Sequence, residues 1–147
     1  MSPLLDLLIT LLYWGRDGWE RVRREREEVF PYLQQRLTEC AARHGESVLS
    51  TPGNPISVAM TLDRLADGEA KGAVTRFGSK LFARFVSGTR AIGKGVVKRI
   101  GPHEFTNYGS HHDQYPHAYL TAAAALGTTK GEVDAFVAKL DLLLGST

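Results

Sequence analysis

Leu4, Leu5, Leu7, Leu8, Ile9, Leu11 and Leu12 are apolar at nearly every angle around a helix. The opening segment therefore predicts a helix enclosed by protein on most sides. Ser2 and Pro3 supply its start as N-cap and first helical residue, and Gly15 stops it. A second, longer helix follows to about Arg43 with a different pattern. Trp19, Val22, Val29, Phe30, Leu33, Leu37, Cys40 and Ala41 lie on one stripe near heptad spacing. Arg21 with Glu25, Arg23 with Glu27 and Arg24 with Glu28 pair at i,i+4 on a solvated face. Asp17 and Glu20 make a capping-box-like start, and Pro31 predicts a bend or a division.

After the turn cluster Thr51-Pro52-Gly53-Asn54-Pro55 the period changes. Ile56, Val58, Met60 and Leu62 alternate, which predicts a half-buried strand. A helix is predicted from about Glu69 to Phe85, with Ala70, Val74, Phe77, Leu81 and Phe85 on one side and Gly78 weakening it. Glycines 93, 95 and 101, with Ile92, Val96, Val97 and Ile100, predict short strands or a hairpin between Gly88 and Tyr108. Ala118 to Ala122 is ambiguous: alanine favours helix, while the place before Gly127 and a capped helix favours strand. Thr129 and Glu132 form a capping box for the last helix, with Val133, Phe136, Val137, Leu140 and Leu144 inward. The expected fold class is α/β (α+β-like), helices packed on a small, mostly antiparallel sheet. Residues 1–45 form N-terminal helices and residues 46–147 a small α/β domain.

Composition narrows the class. A chain of 147 residues with 43% hydrophobic and 23% charged residues reads as one globular unit rather than a disordered segment. Cys40 stands alone, so no internal disulfide forms and no zinc ligand set is visible. Leu4 to Trp14 is too short to cross a bilayer, and Asp6 interrupts it. It also lacks the basic start and small-residue cleavage site of a signal peptide. No membrane partner is expected. Such an apolar start suggests a cut end whose partner lies upstream or on another subunit.

Charge adds the first functional signal. From Ala70 to His103 the chain carries Lys71, Arg76, Lys80, Arg84, Arg90, Lys94, Lys98 and Arg99 and no acid. The whole chain is only +2, so the rest is net acidic. A lopsided field of this kind points to a polyanion, nucleic acid first, although a solvated basic face is the commoner outcome. The planar guanidinium of Arg90 matches guanine O6 and N7; the alternative is an ion pair at a strand end. Lys94, Lys98 and Arg99 stand in a glycine-punctuated segment and could equally touch phosphates or water. His111, His112 and Asp113, with His103 and His117 nearby, invite a metal reading. Adjacent residues on a strand point in different directions, and no metal site is expected there.

Three strings occur in order: Asn54-Pro55-Ile56-Ser57-Val58-Ala59-Met60-Thr61-Leu62, then Val86-Ser87-Gly88-Thr89-Arg90, then Ser110-His111 through Tyr115-Pro116 and Ala118-Tyr119-Leu120 to Gly127. This series resembles the C-terminal part of the O-phosphoseryl-tRNA(Sec) selenium transferase family, over nearly the whole chain. The resemblance implies the C-terminal small domain of a fold-type-I, pyridoxal-phosphate-dependent transferase. The parent would convert O-phosphoseryl-tRNA(Sec) to selenocysteinyl-tRNA(Sec) with selenophosphate, as a cytoplasmic homotetramer. It implies that Arg90, in Ser-Gly-x-Arg, reads the discriminator base at the tRNA acceptor end. In the family the Schiff-base lysine and the phosphoserine-binding arginines precede the apolar opening helix. None of Lys71, Lys80, Lys94, Lys98, Lys130 or Lys139 matches that lysine, so catalytic and cofactor-binding residues are expected outside this chain. Alone it is expected to be inactive and to bind no cofactor. The Ser110-His111 and Tyr115-Pro116 stretch reads as a structured loop near a subunit or tRNA surface; His112, Asp113 and His117 inherit no role. Two other readings compete: a stand-alone basic RNA-binding or oligomerisation module, and the C-terminal domain of another fold-type-I enzyme.

Overall fold

The computed structural model describes residues 3–68, 72–110 and 112–146. The chain begins with α1 (Pro3–His44), which breaks at Gly15, where φ 60 and ψ −169 leave the helical region. Only glycine adopts that backbone without strain, so the predicted stop is a sharp break between two helical segments. The segment before the break is not enclosed. Leu4 is 77% exposed, Leu12 74% and Tyr13 86%, and every residue from Pro3 to Tyr13 faces solvent. The expectation of enclosure fails among the described residues, where no other element covers that segment. Trp14 and Trp19 stack on each other across the break, ring centres 6.0 Å apart.

The second segment buries Val29, Leu33, Leu37, Cys40 and Ala41, as its stripe predicts. Glu20 pairs with Arg16 at 3.0 Å rather than completing a capping box with Asp17. The helix also runs through Pro31 undivided. Pro31 and Glu27, whose carbonyl loses a donor there, both face solvent, so the missing bond falls on the exposed side of the helix. Gly45, at φ 67, ends the helix with the Glu46 amide donating to the Ala41 carbonyl at 2.8 Å, a left-handed cap.

Then come β1 (Val48–Leu49), β2 (Ser57–Thr61), the short α2 (Asp63–Asp67) and α3 (Ala73–Phe82). Next are β3 (Arg90–Ile92), β4 (Lys98–Ile100), β5 (His103–Phe105), β6 (Tyr119–Ala123) and α4 (Lys130–Gly145). The strands form an antiparallel four-stranded sheet in the order β1-β2-β6-β3 and a separate β4-β5 hairpin. The ambiguous Ala118–Ala122 stretch is thus a strand, central in the sheet. α2 was not anticipated; its first amides donate to the buried Glu46 carboxylate, at 3.1 Å from Asp63 and 2.9 Å from Arg64. The α3 helix is shorter than predicted, and residues 69–71 of that prediction lie outside the described residues. Phe85 leaves the inward face, with φ 61 and 94% exposure. The Thr129–Glu132 capping box forms as read, and Leu143 joins Val133, Val137 and Leu140 in the core.

Register separates the sheet's two faces. Val48, Val58, Met60, Ala91, Leu120 and Ala122 share the face that packs against α1, α3 and α4. Leu49, Ser57, Ala59, Thr61, Arg90, Ile92, Tyr119, Thr121 and Ala123 share the opposite face. No helix covers that second face among the described residues. β2 is nevertheless buried from Val58 to Thr61, not half-buried. Ala59 sits in a small cluster with Ile92 and Tyr119, and Thr61 donates its hydroxyl to Glu46.

Candidate nucleic-acid interface

The helix-free face of the sheet is the floor of a groove of about 430 Å³. Its floor is low because small side chains, Ser57, Ala59, Thr121 and Ala123, occupy the central positions. One wall is the turn from Leu49 to Asn54 and the other is the loop of Ser110, His112 and Tyr115. Arg90 opens β3 directly opposite Thr121 and lies on the groove's rim, exposed. Its guanidinium has no carboxylate partner among the described residues, so the ion-pair alternative at this strand end is not what the structure forms.

The other three candidate residues are elsewhere. Lys94 lines a different hollow, between α2, α3 and the β3–β4 turn. Its ammonium lies 2.7 Å from Asp67 and 3.3 Å from Asp63. Those two carboxylates hold it above the ordinary lysine range. Arg99 pairs with Glu104 across the hairpin at 3.0 Å. Lys98 lies over the Tyr108 ring, 4.4 Å from the centroid. The basic run is acid-free in sequence but not in space: α2 brings acids to Lys94 and β5 brings one to Arg99. Arg90 and Lys98 have no carboxylate partner among the described residues.

The groove walls are fixed by residues that sequence reading missed. Asn107 is buried, with φ 49, a left-handed geometry asparagine tolerates. Its Nδ2 donates to the carbonyls of Asp113 at 2.8 Å and Tyr115 at 3.2 Å, and its Oδ1 accepts from the Gly95 amide. One side chain therefore ties the wall loop to the β3–β4 turn. Asn54 does the same on the facing wall, accepting from the amides of Ile56 and Ser57 at 3.0 Å each. The asparagine-glycine spacing around Asn107 (Asn107, then Gly109) was the available signal, and it reads only as a turn.

A profile of the family described as O-phosphoseryl-tRNA(Sec) selenium transferase, SepSecS, matches residues 1–145. The chain belongs to this family. It is 40% identical over 156 positions to the O-phosphoseryl-tRNA(Sec) selenium transferase of Dictyostelium discoideum, covering 97% of this chain and 33% of that protein. To the protein of that name from Caenorhabditis elegans it is 33% identical, covering 94% of this chain and 28% of that one. The chain spans about a third or less of the length of the curated relatives it matches. In fold it is similar to the crystal structure of archaeal O-phosphoseryl-tRNA(Sec) selenium transferase, with a TM-score of 0.75 at 20% identity. That likeness covers 95% of this chain and 28% of the archaeal one.

The selenium-transferase resemblance brings in pyridoxal phosphate, which needs a lysine amine that is buried and free of competing carboxylates. The described lysines do not fit. Lys80, Lys98 and Lys130 are exposed, Lys94 is held by two acids, and Lys139 donates to the Arg84 carbonyl at 2.9 Å. Lys71 lies outside the described residues.

The histidines go separate ways. His117 bonds Asp63 at 2.6 Å, His112 Nδ1 accepts from the Gln114 amide at 3.0 Å, and His103 is on the hairpin. His111 lies outside the described residues. Cys40, His44 and Asp141 do converge where α1 meets α4, but Arg43 shares the Asp141 carboxylate at 3.2 Å. Burial, with Asp141 beside it, pushes the Cys40 thiol up to about 11. That trio is a helix clamp.

Proposed function

We propose that this chain is the tRNA-end-recognition domain of a cytoplasmic, pyridoxal-phosphate-dependent selenium transferase. The parent converts O-phosphoseryl-tRNA(Sec) to selenocysteinyl-tRNA(Sec) with selenophosphate. In that reading this chain is the C-terminal small domain of a fold-type-I enzyme. The Schiff-base lysine, and the electron sink that the cofactor supplies, belong to a part of the protein outside it. Arg90 reads the discriminator base. Lys98 meets a phosphate; Lys94 and Arg99 do so only in exchange for the acids they already hold. The exposed Pro3–Trp14 segment supplies packing surface for a homotetramer.

The observation that carries the reading is the setting of Arg90: a guanidinium on the rim of a groove with no carboxylate partner among the described residues, in a chain of this family. A planar fork with no carboxylate to satisfy it is available to a guanine edge. The test is tRNA binding by the full-length protein at several salt concentrations, with each discriminator base in turn. Arg90→Ala is expected to weaken binding by roughly 1–3 kcal/mol and to blunt the preference for guanine. Lys98→Ala is expected to weaken all four about equally and reduce the salt slope by about one unit. A folded Arg90→Ala protein with unchanged affinity and preference would make the arginine structural.

A further inference from the structure

We propose that the helix-free sheet face beside Arg90 is a pocket for one unstacked nucleobase, with the Tyr119 hydroxyl as a second reading group. The proposal rests on the tRNA-end reading and names how the RNA end is held.

The floor carries the first argument. Ala59, Thr121 and Ala123 leave a slot between two fixed walls, bounded at one end by Tyr115 and Tyr119, which pack edge to face at 5.3 Å. A base still paired and stacked in a helix presents only its edge at the rim. A base turned out of the stack can lie in the slot, which is how single-stranded ends are commonly recognised. The nucleotide that Arg90 reads is unpaired in a tRNA, so turning it out sacrifices stacking alone, a few kcal/mol at most.

Tyr119 carries the second. It is only 8% exposed, yet its hydroxyl makes no hydrogen bond among the described residues and is not sealed from solvent. A tyrosine this buried ordinarily gives its hydroxyl a protein partner. The Thr121 hydroxyl, opposite Arg90, is likewise unpartnered among the described residues. On the walls, Asn54 is engaged in its turn and Ser110 accepts from the His112 amide. The floor and rim thus present the Tyr119 and Thr121 hydroxyls and the Arg90 guanidinium, which a flat base with acceptors on its edge would meet. Asn107 holds the Tyr115 wall in place beforehand, so the pocket forms without ordering a loop.

The experiment places 2-aminopurine, which retains N7, at the discriminator position of the tRNA and follows its fluorescence on binding to the full-length protein. Unstacking is expected to raise the signal with the unaltered protein. Thr121→Phe, which fills the slot, is expected to abolish the rise and weaken binding, while Thr121→Val preserves the rise. Tyr119→Phe is expected to weaken binding of the natural tRNA about three- to tenfold, the value of one neutral hydrogen bond. Binding with no rise in signal overturns the pocket, as does Tyr119→Phe binding at full affinity. If the signal stays flat while Arg90→Ala still loses base preference, Arg90 reads a stacked base and only the pocket fails. If Arg90→Ala changes nothing, the tRNA-end reading itself fails.

Discussion

Arg90 and Lys94 stand four residues apart in an acid-free run, yet end in opposite electrostatic settings. Asp63 and Asp67 lie some thirty residues earlier in sequence and reach Lys94 only because α2 packs beneath the β3–β4 turn. No local pattern announces that. Arg90, in the Ser-Gly-x-Arg string, has no carboxylate partner among the described residues. Asn107 shows the converse case, a residue whose weight is invisible before folding. Its side chain satisfies three or more backbone groups while holding a left-handed backbone. Asn107→Ala removes the bonds to the Asp113 and Tyr115 carbonyls and the Gly95 amide and is expected to lose roughly 1–3 kcal/mol of stability. Urea unfolding checks this; a loss below the error of the measurement would mean the wall loop is held by something else.

At the scale of elements, sequence period was enough wherever one face meets one core. The stripe of α1 after Gly15, the capped α4 and the inward side of α3 up to Leu81 were all legible. Failures came where two elements share a burden. β2 alternates as predicted, but its second face is covered by Tyr119, Ile92 and Glu46, which come from other parts of the chain. The α1–α4 contact is tied at two points. Asp134 takes Tyr32 at 2.8 Å and Arg36 at 2.9 Å; Asp141 takes His44 at 2.7 Å and Arg43 at 3.2 Å. The hydrogen bond from Tyr32 holds Asp134 below the ordinary carboxylate range, and His44 does the same for Asp141. For Asp63 burial pushes upward, and bonds from His117, the Ala118 amide and Lys94 outweigh it. A depressed folded pKa means the unfolded chain binds more protons, so these contributions are present above the ordinary aspartate pKa of about 3.9. They are lost as pH falls through the folded values. Thermal midpoints are expected to hold between pH 5 and 7 (about) and drop below about pH 4, with a shallower drop in Asp141→Asn. Equal acid sensitivity in that variant would remove Asp141 from the account.

For the whole molecule, the dominant fact is the contrast between a closed core and an uncovered start. Leu4 to Tyr13 is solvent-facing, a patch of the kind that marks an interface. The isolated chain is expected to self-associate at micromolar concentration, read by light scattering, and Leu5→Glu with Leu8→Glu to return it to monomer. A wild-type monomer would mean the segment needs no partner. The helix pattern was legible in sequence; its exposure was not, because apolar periodicity does not say which element meets it. The central claim remains that Arg90 meets the discriminator base. Methylation of guanine N7 by dimethyl sulfate measures that contact directly, in the complex of full-length protein and tRNA. The discriminator guanine is predicted to be protected by the unaltered protein and reactive again with Arg90→Ala under conditions where the RNA is still bound. Equal N7 reactivity in free and bound tRNA would contradict the account.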